Sequence, residues 1–156
     1  MIGIQFQIPN EYNNFLFKIF SGVNVMQYEW DIITDSSIEK NTLTGEIKKS
    51  NGIFTANKLT GELFYKCISK KCYYMIFIDV KAFSKGSQHT CISSFADFIN
   101  SDCQLIFLCT DSQFITVFCK DRGVLKQIFD NCCMFNFQKA NFISHQDGNQ
   151  YEVIAF

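Results

Sequence analysis

The chain has 156 residues, 47% of them apolar and 19% charged, with eighteen phenylalanines and a formal net charge of −1. Composition this apolar excludes intrinsic disorder, and 14 basic residues with Arg122 as the one arginine exclude the clustered cations of a nucleic-acid binder. The longest apolar stretches, such as Tyr73 to Ile78 and Leu105 to Cys109, fall far short of the ~20 residues of a membrane-spanning helix.

Ile2, Ile4, Phe6 and Ile8 alternate with Gly3, Gln5 and Gln7, the period-two signature of a strand with one buried face, and Pro9 ends it. Asn10 is placed to cap a helix whose apolar stripe is Tyr12, Phe15, Leu16, Ile19 and Phe20, with Gly22 as its stop. Alternation returns from Val25 to Ile33, where Met26, Tyr28, Trp30 and Ile32 share one side and Gln27, Glu29 and Asp31 the other. Residues Thr34 to Asn51 are polar without a sustained period and read as a loop or a weak hairpin. Thr60 caps a second helix with the stripe Leu63, Phe64, Cys67 and Ile68, and Leu59 staples onto Phe64. Tyr73 to Val80 carries apolar side chains on both faces, as a central strand covered on two sides does, with Asp79 the polar exception.

Ser94 and Asp97 have capping-box spacing ahead of Phe95, Phe98 and Ile99, which predicts a third helix ending by Ser101. The apolar runs Cys103 to Cys109 and Phe114 to Cys119, joined by Thr110-Asp111-Ser112-Gln113, predict a β-hairpin. Asp121 caps a fourth helix with Val124, Leu125, Ile128, Phe129 and Cys132 on one side. The chain closes on Phe137 to Ser144, a turn at Gln146-Asp147-Gly148-Asn149, and Tyr151 to Phe156, which together read as a second hairpin. The expectation is one domain over 1–156 with an α+β fold, a mixed or mainly antiparallel sheet with about four helices packed on it.

Met1 to Phe6 shows no basic n-region and no small-residue cleavage site, and Gly3 stands one place too late for myristoylation, so a cytoplasmic protein is expected. Eight cysteines could make four disulfides, but most fall within apolar strand or helix patterns, and reduced, buried thiols are expected. No C-x-x-C pair occurs and only His89 and His145 supply imidazole, so neither a metal site nor a cofactor site is predicted. His89 with Cys91, or His145 with another cysteine, could join a thiol nucleophile to a base; no nucleophile elbow accompanies either, and no catalytic residue is assigned. Nucleotide-binding glycine fingerprints are missing, and Gly45, Gly52 and Gly61 read as turn or cap residues. Cys132 and Cys133 are adjacent on a helix, so only one can face the core. The local excess of Lys66, Lys70, Lys71, Lys81 and Lys85 over Asp79 reads as a solvated face.

Glu29 and Asp31 flank Trp30, and on a strand they share one face about 7 Å apart. Two carboxylates so placed can hold a cation, do acid–base work or simply face water.

The blocks Ile4-x-Phe6-x-Ile8-Pro9-Asn10-Glu11-Tyr12, Thr60-Gly61-Glu62, Tyr73-Tyr74-Met75-Ile76-Phe77, Ser101-Asp102-Cys103-Gln104-Leu105-Ile106 and Phe118-Cys119-Lys120-Asp121 together resemble the domain-of-unknown-function family 2691 of small Gram-positive bacterial proteins. The resemblance spans nearly the whole chain, with Ser36 to Phe54 least alike, and implies a bacterial, cytoplasmic, single-domain protein; it carries no established reaction to any residue. Few catalytic candidates and much aromatic material point to a module that binds or regulates another protein. Its exposed anchors would be Tyr12, Tyr28 and Tyr151, with Glu29 and Asp31 steering a basic partner. An enzyme with a Cys/His site and a small-molecule sensor with an apolar pocket are the alternatives.

Overall fold

The computed structural model describes residues 1–48 and 52–155. Its strands are β1 (Gly3–Gln7), β2 (Tyr28–Glu39), β3 (Lys58–Leu59), β4 (Tyr73–Ser84), β5 (Cys103–Thr110), β6 (Phe114–Cys119) and β7 (Gln138–Ile143), and its helices are α1 (Phe15–Ile19), α2 (Gly61–Ile68), α3 (Phe95–Asn100) and α4 (Arg122–Met134). The strands join one sheet in the order β3-β2-β4-β5-β6-β1-β7, antiparallel at every pairing. The fold is therefore α+β. None of the described helices is long and apolar enough to cross a membrane.

Each face of the sheet has its own apolar cluster. Helices α1, α2 and α4 cover the first face, where Trp30 of β2 stacks flat on Phe64 of α2 at 3.7 Å between ring centroids. The Trp30 indole N–H donates to the Val25 carbonyl at 3.0 Å, so the largest buried side chain leaves no donor unpaired. Gly61 opens α2 where its backbone touches the chain before β2: a Cβ there would lie 2.4 Å from the Met26 carbonyl oxygen. Gly61 is thus a close-approach residue rather than a turn.

On the second face, register sets the side chains in rows. Asp31, Lys81, Ile106, Phe118, Gly3 and Ile143 stand directly opposite one another across β2, β4, β5, β6, β1 and β7. The next row is Thr34, Asp79, Leu108, Thr116, Gln5 and Asn141. Helix α3 and the C-terminal segment close one end of this face, with Phe95, Phe98, Val153 and Ala155 buried on Phe83, Ile106 and Phe118.

Caps appear where side-chain chemistry placed them. Thr60 accepts from the Leu63 amide, Ser94 and Asp97 form a reciprocal capping box, and Asp121 accepts from the Gly123 and Val124 amides. The β5–β6 hairpin turns through Asp111 and Ser112, both at positive φ.

Four expectations are corrected. Asn10 does not cap the first helix: α1 begins at Phe15, and the Asn10 carboxamide oxygen instead accepts from the Tyr74 hydroxyl. The second strand does not span Val25 to Ile33. Val25–Gln27 is a 3₁₀ turn, and β2 runs from Tyr28 to Glu39 through residues 34–39, because pairing with β4 supplies the partner that their polar side chains gave no sign of. The remainder of that expected loop is a short turn closed by a Lys40–Ile47 bridge, with 49–51 outside the described residues. Leu63 is exposed, so the buried stripe of α2 is Gly61, Phe64, Cys67 and Ile68. Finally, the C-terminal run forms no second hairpin. Strand β7 pairs with β1, and residues 151–155 cross the second face without strand pairing, Phe156 lying outside the described residues.

Within the second core, Asp79 and Lys81 are almost wholly buried and paired at 2.5 Å, and the second Asp79 oxygen accepts from the Ala155 amide at 3.2 Å. Removing one partner strands a buried charge, so Lys81→Met alone is expected to cost roughly 3–5 kcal/mol in urea unfolding. The double variant Asp79→Leu/Lys81→Met is expected to lose much less than the sum of the two single losses; additive losses would show that the two charges act independently.

Candidate functional site

Strand alternation sends Trp30 into the first core and therefore sends Glu29 and Asp31 to the second face, at the edge where only the two-residue β3 flanks β2. The residues between β4 and α3 fold back over this edge and insert His89 between the two carboxylates. Its Nδ1 lies 2.7 Å from Asp31 Oδ1 and its Nε2 3.1 Å from Glu29 Oε2, while the ring stacks on Phe83 at 4.3 Å between centroids. A neutral imidazole has one N–H, so both contacts are hydrogen bonds together only when the ring, or one carboxyl, carries the extra proton. Lys58 of β3 reaches Asp31 at 3.2 Å, and the Gly86 amide donates to Glu29 at 3.4 Å. A depression of about 240 Å³ beside the cluster is lined by Glu29, Trp30, Lys58, Leu59, Thr60 and His89.

The two carboxylates differ. Asp31 is 14% exposed and carries both Lys58 and the imidazole, whereas Glu29 is 39% exposed and is the member that a ligand can reach. Directly across from Asp31 stands Lys81, committed to Asp79, whose carboxyl is pushed up by burial against the opposing pull of the Lys81 charge. A band of ionisable groups thus runs from Glu29 at the rim through His89 and Asp31 to the buried Lys81–Asp79 pair.

Of the residues singled out from sequence, Glu29 and Asp31 share one face and one partner. The three tyrosines do not gather. Tyr28 is buried in the first core, not exposed, and burial pushes its hydroxyl up to about 12. Tyr12 lies against Tyr74 with Lys40 over its ring, near the end of β4 opposite to Ser84, the residue that pairs with Tyr28. Tyr151 packs edge-on to Phe118 under the C-terminal segment. The expected lysine cluster disperses: Lys81 is buried with Asp79, Lys85 faces Glu62 at 3.7 Å and Lys70 binds Glu39 at 3.0 Å.

Sequence spacing offers Cys91 as a partner for His89, yet both imidazole nitrogens face carboxylates, and among the described residues neither histidine hydrogen-bonds a sulfur. Its pairing with residues 58 and 60 positions upstream left no trace in sequence spacing. Lys58 could be found only by knowing that β3 pairs with Asp31. Among the described residues no three of His, Cys, Asp and Glu are placed to hold a metal ion: the carboxylates address opposite nitrogens of one ring and cannot share an ion with it.

All eight thiols are free; Cys91 and Cys133 are exposed, while Cys132 faces the core. Burial pushes Cys103, Cys109, Cys119 and Cys132 each up to about 12, so none of them supplies thiolate near neutrality.

A disulfide-exchange reagent is therefore expected to modify Cys91 and Cys133 rapidly in the native protein, the half-buried Cys72 more slowly, and the five buried thiols only after denaturation; rapid native modification of Cys103 would contradict the burial. Replacing His89 by alanine removes both carboxylate contacts and the stack on Phe83. Hydrogen exchange of residues 86–93 should accelerate, with a stability loss of about 1–2 kcal/mol, the exposed Glu29 arm contributing the smaller part. Unchanged exchange there would mean that other contacts hold this segment.

One relative, an uncharacterised protein, YncE, of Bacillus subtilis (strain 168), is 28% identical over 145 residues, covering 93% of each chain. No solved structure matches the chain. The family model for a protein of unknown function, DUF2691, matches residues 1–154, and the chain belongs to that family.

Proposed function

We propose that this protein is a single-domain, cytoplasmic binding module that recognises an arginine-bearing segment of another protein at the β2 edge. The observation that carries this reading is the pair of carboxylates two residues apart on one strand face, closed on a planar nitrogen ring stacked over Phe83. A guanidinium is likewise planar, donates from several N–H groups and stacks on aromatic faces. His89, carried on a segment without strand or helix, would be the internal occupant of a place that a partner's arginine can take. The adjoining depression, walled by Lys58, Leu59 and Thr60, would receive the flanking peptide. Eight unpaired cysteines suit a reducing compartment.

The test is calorimetric titration with short arginine-containing peptides. His89→Ala vacates the place and is expected to tighten binding about tenfold, whereas Glu29→Lys abolishes it. Equal affinity of wild type, His89→Ala and Glu29→Lys would overturn the reading.

A further inference from the structure

The second face of the sheet is closed by α3 and the C-terminal segment at one end only. At the other end the rows continue as uncharged polar side chains: Thr116, Gln5 and Asn141 stand opposite one another on β6, β1 and β7, and Phe114, Gln7 and Gln138 follow in the next row. Gln5 and Gln7 lie on one face about 7 Å apart. None of Gln5, Gln7 and Thr116 hydrogen-bonds through its side chain to another described residue, and the Phe114 ring is 48% exposed beside Gln7. The floor is irregular, because the β1–β7 register shifts between Gln5 and Gln7 and Lys139 sits in the left-handed region at φ 56°. Gln5, Gln7, Phe114, Thr116, Lys139 and Asn141 line a depression of about 220 Å³.

The chemistry of this depression selects its occupant. Carboxamides and hydroxyls both donate and accept, as sugar hydroxyls do, and a half-exposed phenyl ring offers a flat apolar surface for the C–H face of a pyranose. An apolar ligand would leave the amides unpaired on burial. A polyanion would require clustered cations, and Lys139 is the one charge in the lining. We propose that this open end of the sheet is a binding site for a neutral saccharide. The sugar ring lies on Phe114, and Gln5, Gln7, Thr116 and Asn141 bond its hydroxyls. The site is separate from the Glu29–His89 corner and stands whether or not that corner binds arginine.

The experiment is amide NMR titration of the full chain with maltotriose and chitotriose as neutral probes and an oligogalacturonate as the anionic comparator. Either neutral sugar should shift the side-chain amides of Gln5, Gln7 and Asn141 with a dissociation constant on the order of 1 mM. Gln5→Leu and Phe114→Ala should each weaken binding about tenfold. Thr116→Val, which keeps a β-branched residue on the strand, should weaken it without disturbing the rest of the spectrum. Three results would each overturn the proposal: no shift at about 10 mM of either neutral sugar, equal shifts in wild type and variants, or binding of the oligogalacturonate alone with loss in Lys139→Ala.

Discussion

Asp79 and Lys81 are two residues apart on the central strand, so the alternation that buries Val80 and Ala82 in one core drives both charges into the other. Taking a charge out of water costs several kcal/mol even after relaxation, and each charge here is met by the other and by little else. The lower neighbours on β5 are Ile106 and Leu108, which offer no polar group. The remaining Asp79 oxygen is met by a backbone amide of the C-terminal segment. That segment is thus tied to the sheet by a hydrogen bond to a charged group as well as by Val153 and Ala155.

The same constraint explains why polar chemistry collects where it does. Lys81 stands opposite Asp31, and Asp31 in turn anchors His89. The carboxylates Glu29, Asp31 and Asp79 of the second face are therefore gathered at the β2–β4 end, with Lys58 on Asp31 and Lys81 on Asp79. Across β6, β1 and β7 the open end of the same face carries amides and hydroxyls, with Lys139 the one charge in the lining. One sheet face offers two chemically distinct ends, one suited to a cation and one to an uncharged polyol.

Much of the fold was legible in the residues. Period-two alternation marked β1 and the start of β2, apolar runs marked β4, β5 and β6, and side-chain oxygens at Thr60, Ser94 and Asp121 marked three helix starts, because these signals act over a few residues. Where the outcome depended on a distant partner, local pattern misled. The Tyr12–Phe20 stripe has helical spacing, yet Asn13 is held in a bridge to Tyr73 and the helix shortens to five residues. Tyr151–Phe156 has strand composition, but β7 ends the sheet and the segment instead crosses the second face, burying Val153 and Ala155 in its core. At the site, the carboxylate pair was readable from i, i+2 spacing. Its imidazole was not, since what joins His89 to Asp31 is the return of a segment over a sheet edge.

Hydrogen exchange at the Ala155 amide tests most directly whether the buried charge pair holds the C-terminal segment. That amide belongs to no helix or strand, and with Asp79 charged and dry it should exchange as slowly as the amides of β4 and become fast in Asp79→Asn. Exchange at the rate of an unstructured chain end in the wild type would contradict the account.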